Sequence, residues 1–145
     1  MTWLASGSYN IIQGNLVGTD KTGTKDIGNY MRGIDIAEGS SHNLVGGTEP
    51  GQRNIISGND MYGFDIYQGT DNKIINNYVG TDITGTKALG NLGDGFRLVQ
   101  TDHVLIQGGI IGYNTGYAVH NGASTNTKVT GVKLINNVLF LVKMT

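Results

Sequence analysis

Cysteine is absent from the 145 residues, and proline occurs once. Without cysteine there is no disulfide framework, no thiolate nucleophile and no cysteine-based zinc site. Charge is also scarce, at 14% of residues against roughly a quarter in an average soluble domain. Ten Lys and Arg against eleven Asp and Glu leave a net charge of −1. That balance argues against a nucleic-acid binder, which needs a basic face to displace counterions from phosphate. No apolar run approaches the roughly 20 residues of a membrane span. The opening residues, MTWLASGSYN, have neither the charged flank nor the apolar stretch of a signal peptide. What is abundant is glycine, with 24 residues, well above ordinary usage of roughly 7%. With 38% hydrophobic residues, the chain is expected to fill one core as a single domain spanning 1–145.

The chain repeats itself. Laying Gly7–Gly33 on Gly69–Gly95 brings identical residues together at more than half of the positions. The shared core reads N-x-V-G-T-D-x-T-G-T-K-x-x-G-N-x-x-x-G. A finer pattern recurs at Gly33-Ile-Asp-Ile, Gly63-Phe-Asp-Ile, Gly95-Phe-Arg-Leu and Gly116-Tyr-Ala-Val, the last interval being the shortest. Each is followed by two more short apolar runs that end in Gly or Asn. Alternation of period two marks strands with one inward side, and Gly, Asn, Ser and Thr mark the corners. Nothing has helical periodicity with caps. Strands this short bury their inner faces only by stacking, rung on rung. The pattern predicts an all-β, right-handed parallel β-helix of about five rungs with three short strands each. Segments 22–29, 48–53 and 84–91 read as corner inserts. Asn15, Asn59, Asn77 and Asn137 read as a hydrogen-bonded ladder between rungs, and Asp20 and Asp82 as turn-stabilising carboxylates.

The phrases N-x-V-G-T-D-x-T-G-T-K, G-G-T-x-P-G-x-R-N-I-I-S-G-N and G-x-D-I resemble those of bacterial right-handed parallel β-helix repeat proteins, within the wider pectate-lyase-like superfold. The resemblance implies a carbohydrate-active protein, of polysaccharide lyase or glycoside hydrolase type, and favours a secreted or cell-surface location. The same repeat also serves non-catalytic structural and adhesin modules. The resemblance does not extend to the Asn-Thr-Asp, Asp-Asp and Gly-His-Gly signatures of polygalacturonase-like glycosidases, which this sequence lacks.

Aligning the rungs sets Trp3, Asp35, Asp65, Arg97 and Ala118 in one outward column of the first sheet. A second outward column holds Ala5, Ala37, Tyr67, Val99 and His120. Stacked about 5 Å apart, Asp35 and Asp65 suit either a calcium ion or an acid/base pair in a glycosidase. The alternative is a solvated face on which Arg97 offsets their charge. Arg97 would bind an acidic sugar, and Trp3 and Tyr67 would stack on sugar faces. By analogy with pectate lyases, Asp35 and Asp65 would hold calcium and Arg97 would contact or deprotonate a uronate. Lys25 and Lys87 crown loops expected to overhang the first sheet and contact substrate. His42, His103 and His120 show no metal-ligand spacing and read as surface residues. The apolar strand Val138–Val142 and the exposed ends predict a homo-oligomer, or a piece of a longer helix.

Overall fold

The computed structural model describes the backbone of residues 2–5 and 7–144, and the side chains of residues 7–139. The first rung carries β1 (Thr2–Ala5), β2 (Ile11–Ile12) and β3 (Leu16–Val17). The second carries β4 (Ile34–Ala37), β5 (Leu44–Gly46) and β6 (Ile55–Ile56), with a single 3-10 turn at Pro50–Gln52 in the corner insert. The third holds β7 (Phe64–Tyr67), β8 (Lys73–Ile75) and β9 (Tyr78–Val79). The fourth holds β10 (Phe96–Val99), β11 (Leu105–Gln107) and β12 (Ile110–Gly112). The fifth holds β13 (Tyr117–Gly122), β14 (Lys128–Thr130) and β15 (Lys133–Ile135), and β16 (Leu139–Met144) follows.

Pairing is parallel throughout these strands. The first sheet has six strands in the order β1-β4-β7-β10-β13-β16, and the other two have five each. The protein is therefore a parallel β-helix solenoid. Among the described residues no helix is long and apolar enough to cross a membrane.

The core consists of stacked columns. Ile34, Phe64, Phe96 and Val119 are register partners in the first sheet, and all are essentially inaccessible. The rings of Phe64 and Phe96 lie parallel, with centroids 4.4 Å apart. The second sheet contributes Val45, Ile74 and Ile106, and the third Val17, Ile56, Val79 and Ile111. A buried side chain of this size stabilises the fold by about 1.5–3 kcal/mol, and no single rung contains enough of them to stand alone.

Asparagine continues the stacking at the corners, in three files rather than the single ladder expected from the sequence. Asn29, Asn59, Asn91, Asn114 and Asn137 form the longest, each amide Nδ2 donating to the next Oδ1 at 2.7–2.9 Å. Asn15, Asn54 and Asn77 form a second file, and Asn10, Asn43 and Asn72 a third. Asn15 and Asn77 thus belong to one file, and Asn59 and Asn137 to another. Most of these residues are fully buried, so their amides meet the rule that buried polar groups must find partners.

Two glycines show why the duplicated segments keep theirs. Gly18 and Gly80 occupy equivalent turns at φ +87° and +90°. A Cβ there would collide with the carbonyl oxygen of Ser57 or Gly112 on the next rung.

The last rung departs from the alignment. Phe96 pairs with Val119 and Arg97 with His120, whereas the matching phrases at Gly95 and Gly116 set Tyr117 and Ala118 in those places. Ala118, expected to point outward, lies in the core, and His120 occupies the position beside Arg97. A register irregularity between Tyr117 and Val119 on the β16 side accompanies this slide.

Candidate functional site

The outward face of the first sheet carries a groove of about 510 Å³, lined by Arg32, Asp35, Ala37, Glu38, Asp65, Tyr67 and Arg97. The strand register builds it. Asp35 on β4 pairs with Asp65 on β7, and Asp65 with Arg97 on β10, so three charged residues from three rungs stand side by side. Tyr67, two residues beyond Asp65 on the same face, is more than a third exposed and forms part of the wall.

The carboxylates are deep and the guanidinium groups shallow. Asp35 is 5% exposed and Asp65 2%. The side chains of Arg32 and Arg97 are 27% and 32% exposed. Arg97 Nη1 contacts both carboxylate oxygens of Asp65, at 2.9 and 3.1 Å, while its guanidinium stands over the Tyr62 ring at 5.5 Å. Arg32 Nη1 donates to Asp35 Oδ2 at 2.8 Å. Its Nε also stands 2.8 Å from Asp65 Oδ2, but that N–H is not aimed at the oxygen, so the contact is an ion pair without a hydrogen bond. The network therefore runs Asp35–Arg32–Asp65–Arg97. Burial pushes the Asp65 carboxyl above the ordinary aspartate pKa. Arg97 and then Arg32 pull it down, and the neighbouring Asp35 adds to the upward push.

Beside Arg97 the row continues into β13. His120 Nδ1 lies 3.2 Å from Asp94 Oδ2, and Asp94 Oδ1 accepts the Tyr117 backbone N–H at 2.7 Å. The Tyr117 ring packs against the imidazole at 5.2 Å.

Of the residues expected from the sequence, Asp35, Asp65, Arg97 and Tyr67 come together in this groove. Trp3 is in register with Asp35, but its side chain lies outside the described residues. Lys25 and Lys87 are elsewhere. Their loops fold toward the third sheet, with Ile83 N donating to Gly23 O, Gly23 packed by Ile83 and Leu16, and Gly85 packed by Ile110 and Tyr78. Both lysines are exposed, and neither lines the groove. Asp20 and Asp82 close those loops as expected. Each accepts a threonine hydroxyl, from Thr22 or Thr84, and two backbone N–H groups.

Arg32, Asp94 and the role of His120 were missed. Arg32 precedes its strand in a corner segment with no period to mark it, and the His120 position depends on the slide in register at the last rung. The signal for Arg32 is its three-residue separation from Asp35, a spacing close enough for a local ion pair.

The aspartate pair does not fit a calcium site. Calcium takes about six to eight oxygen ligands. Among the described residues no group of three or more His, Asp or Glu converges on one point, and guanidinium nitrogens already contact oxygens of both carboxylates.

Compared with protein-family models, curated protein sequences and solved structures, the chain matches none.

Proposed function

We propose that the chain binds a polysaccharide in the groove on the outward face of the first sheet. The observation that carries this reading is the groove itself, in which guanidinium donors and carboxylate acceptors alternate and are joined by ion pairs. Sugar hydroxyls donate and accept together, so they suit a surface of paired guanidinium and carboxylate groups beside an exposed ring. Buried Asp35 and Asp65 fix the orientation of Arg32 and Arg97, which face the ligand with most of their entropy cost already met by the fold. Tyr67 offers a flat face for a sugar ring. The near-neutral charge of the cluster favours hydroxyl recognition over capture of an anion.

Isothermal titration with a panel of neutral and uronic polysaccharides tests the reading. Binding to at least one, weakened about tenfold or more by Tyr67→Ala and by Arg97→Gln, is the expected result. Equal binding by the wild type and both variants would remove the groove from the interaction.

A second reading, a stacking module without ligand, draws on the same ion pairs, since they tie rungs two, three and four together. It requires that no polysaccharide bind and that both variants alter only stability.

A further inference from the structure

Asp94 joins the fourth rung to the fifth through two contacts, one of them to the side chain of His120. The carboxylate is positioned by the Tyr117 N–H and faces His120 Nδ1 at 3.2 Å, while the Tyr117 ring restrains the imidazole. A carboxylate accepts only, so the proton sits on Nδ1 and the Nε2 lone pair is left available. His120 Nε2 makes no hydrogen bond among the described residues, and the ring is about one-third exposed. One strand away, about 4.8 Å in the hydrogen-bonding direction, stands Arg97. Arg97 uses Nη1 on Asp65 and makes no other hydrogen bond among the described residues through Nη2 or Nε. Beyond the Arg97 edge of the groove, one strand outside its lining, the sheet thus carries an oriented imidazole beside a fixed guanidinium donor. Asp35 and Asp65, by contrast, are occupied by ion pairs. That combination suits attack of water on a carbonyl better than cleavage between two carboxylates.

We propose that Asp94, His120 and Arg97 form an ester-hydrolysing centre acting on acyl groups carried by the carbohydrate in the groove. This rests on the binding reading above. His120 Nε2 takes a proton from water as the water oxygen attacks the acyl carbonyl carbon. The carbonyl electron pair moves onto its oxygen, and the resulting oxyanion is held by free N–H groups of Arg97. As the tetrahedral intermediate collapses, the bond from the acyl carbon to the sugar oxygen breaks. His120 returns the proton to that sugar oxygen, leaving a free hydroxyl and a carboxylic acid. Water is the only co-reactant. His120 and Arg97 are the catalytic residues, and Asp94 is a positioning residue that acts through His120.

The test uses O-acetylated xylan and O-acetylated pectin, with released acetate measured separately from binding to the same glycans after chemical deacetylation. The expected result is acetate release by the wild type that falls about a hundredfold or more in His120→Gln with binding retained. Asp94→Asn should lower kcat about tenfold or more with KM unchanged, a split that mere loosening of the strand would not give. To guard against a variant that does not fold, a His42→Gln/His103→Gln protein, in which His120 is the sole histidine, is treated with diethylpyrocarbonate. Release should be lost, then recovered with hydroxylamine. If a glycan binds but its acetylated form yields no acetate, or if release survives loss or modification of His120, the ester-hydrolysing centre is overturned while the binding reading stands. If no glycan binds, both fall together.

Discussion

Arg97 on β10 contacts both carboxylate oxygens of Asp65 on β7 through the single nitrogen Nη1, across the boundary between two rungs. The bond joins a nearly inaccessible acid to a base that is one-third open to solvent. Its strength and its vulnerability follow from that asymmetry.

Removing the base strands the acid. Arg97→Ala should destabilise the fold by about 2 kcal/mol, below the roughly 3–5 of a fully buried pair, because Arg97 is partly solvated and Arg32 still faces Asp65. Urea denaturation of both proteins at neutral pH measures the difference. A loss under about 0.5 kcal/mol, the scale of a pair in open solvent, would mean that water reaches Asp65.

The Asp65 carboxyl makes acid favourable to the fold. Its pKa is raised, first by burial, so the native state holds this proton more tightly than the unfolded chain. The corresponding stability is present below the ordinary value of 3.8 and is lost as pH rises through the native pKa. Asp65→Asn should abolish that component, seen as the difference between wild-type and variant unfolding free energies from pH 3.5 to pH 7.

Asp102 has the opposite sign. Hydrogen bonds from Thr125 and Asn126, with His103 adding to them, lower its pKa to about 2. Its contribution is present above 3.8 and fades as pH falls toward 2. An NMR titration following the Asp102 carboxyl carbon should show a midpoint well below that of a free aspartate, moving upward in Thr125→Val.

The asparagine file offers the sharpest stability test. The Asn91 side chain accepts from the backbone N–H and side-chain amide of Asn59 and donates to Ile56 O and Asn114 Oδ1. Asn91→Ala leaves several buried groups without partners, at about 1–3 kcal/mol each, so a total loss of about 3–5 kcal/mol is expected. A thermal melt that shifts by only one or two degrees would show that water enters the gap.

Backbone strain is distributed along the corners as well. Gln100 sits at φ +53°, in line with Gln68 at +55° on the previous rung. Gln100→Gly should stabilise by about 0.5–1 kcal/mol, because glycine adopts that conformation freely and only a surface hydrogen bond to Gln68 is given up. Denaturant midpoints decide the sign.

Most of the fold was legible because its signals are local and repeated. Period-two alternation at Ile34-Asp-Ile and Phe64-Asp-Ile, together with glycine at the turns, was enough to assign strands, rungs and inserts. The core pair of Phe64 and Phe96 and the outward neighbours Asp35, Asp65 and Arg97 followed from register alone. The alignment failed at Gly116, where the matching G-x-x-V phrase placed Tyr117 beside Phe96, but backbone pairing sets Val119 there. Identity of a short phrase carried less weight than continuation of the Asn91, Asn114 and Asn137 file, whose members keep the same interval as Phe96 and Val119. Arg32 and Asp94 were not legible because ion pairing from corner segments has no period. Lys25 and Lys87 were misplaced because the direction in which a loop folds depends on what it packs against, here Ile83, Tyr78 and Ile110.

In each asparagine file the bonds between side chains run one way, the amide Nδ2 of the lower rung donating to the Oδ1 of the higher. The dipoles add head to tail, so the solenoid has an electrical direction along its length, as a row of aligned magnets does. A layer spliced into its middle would have to enter in that same sense, because an inverted one would set oxygen against oxygen on one side and nitrogen against nitrogen on the other.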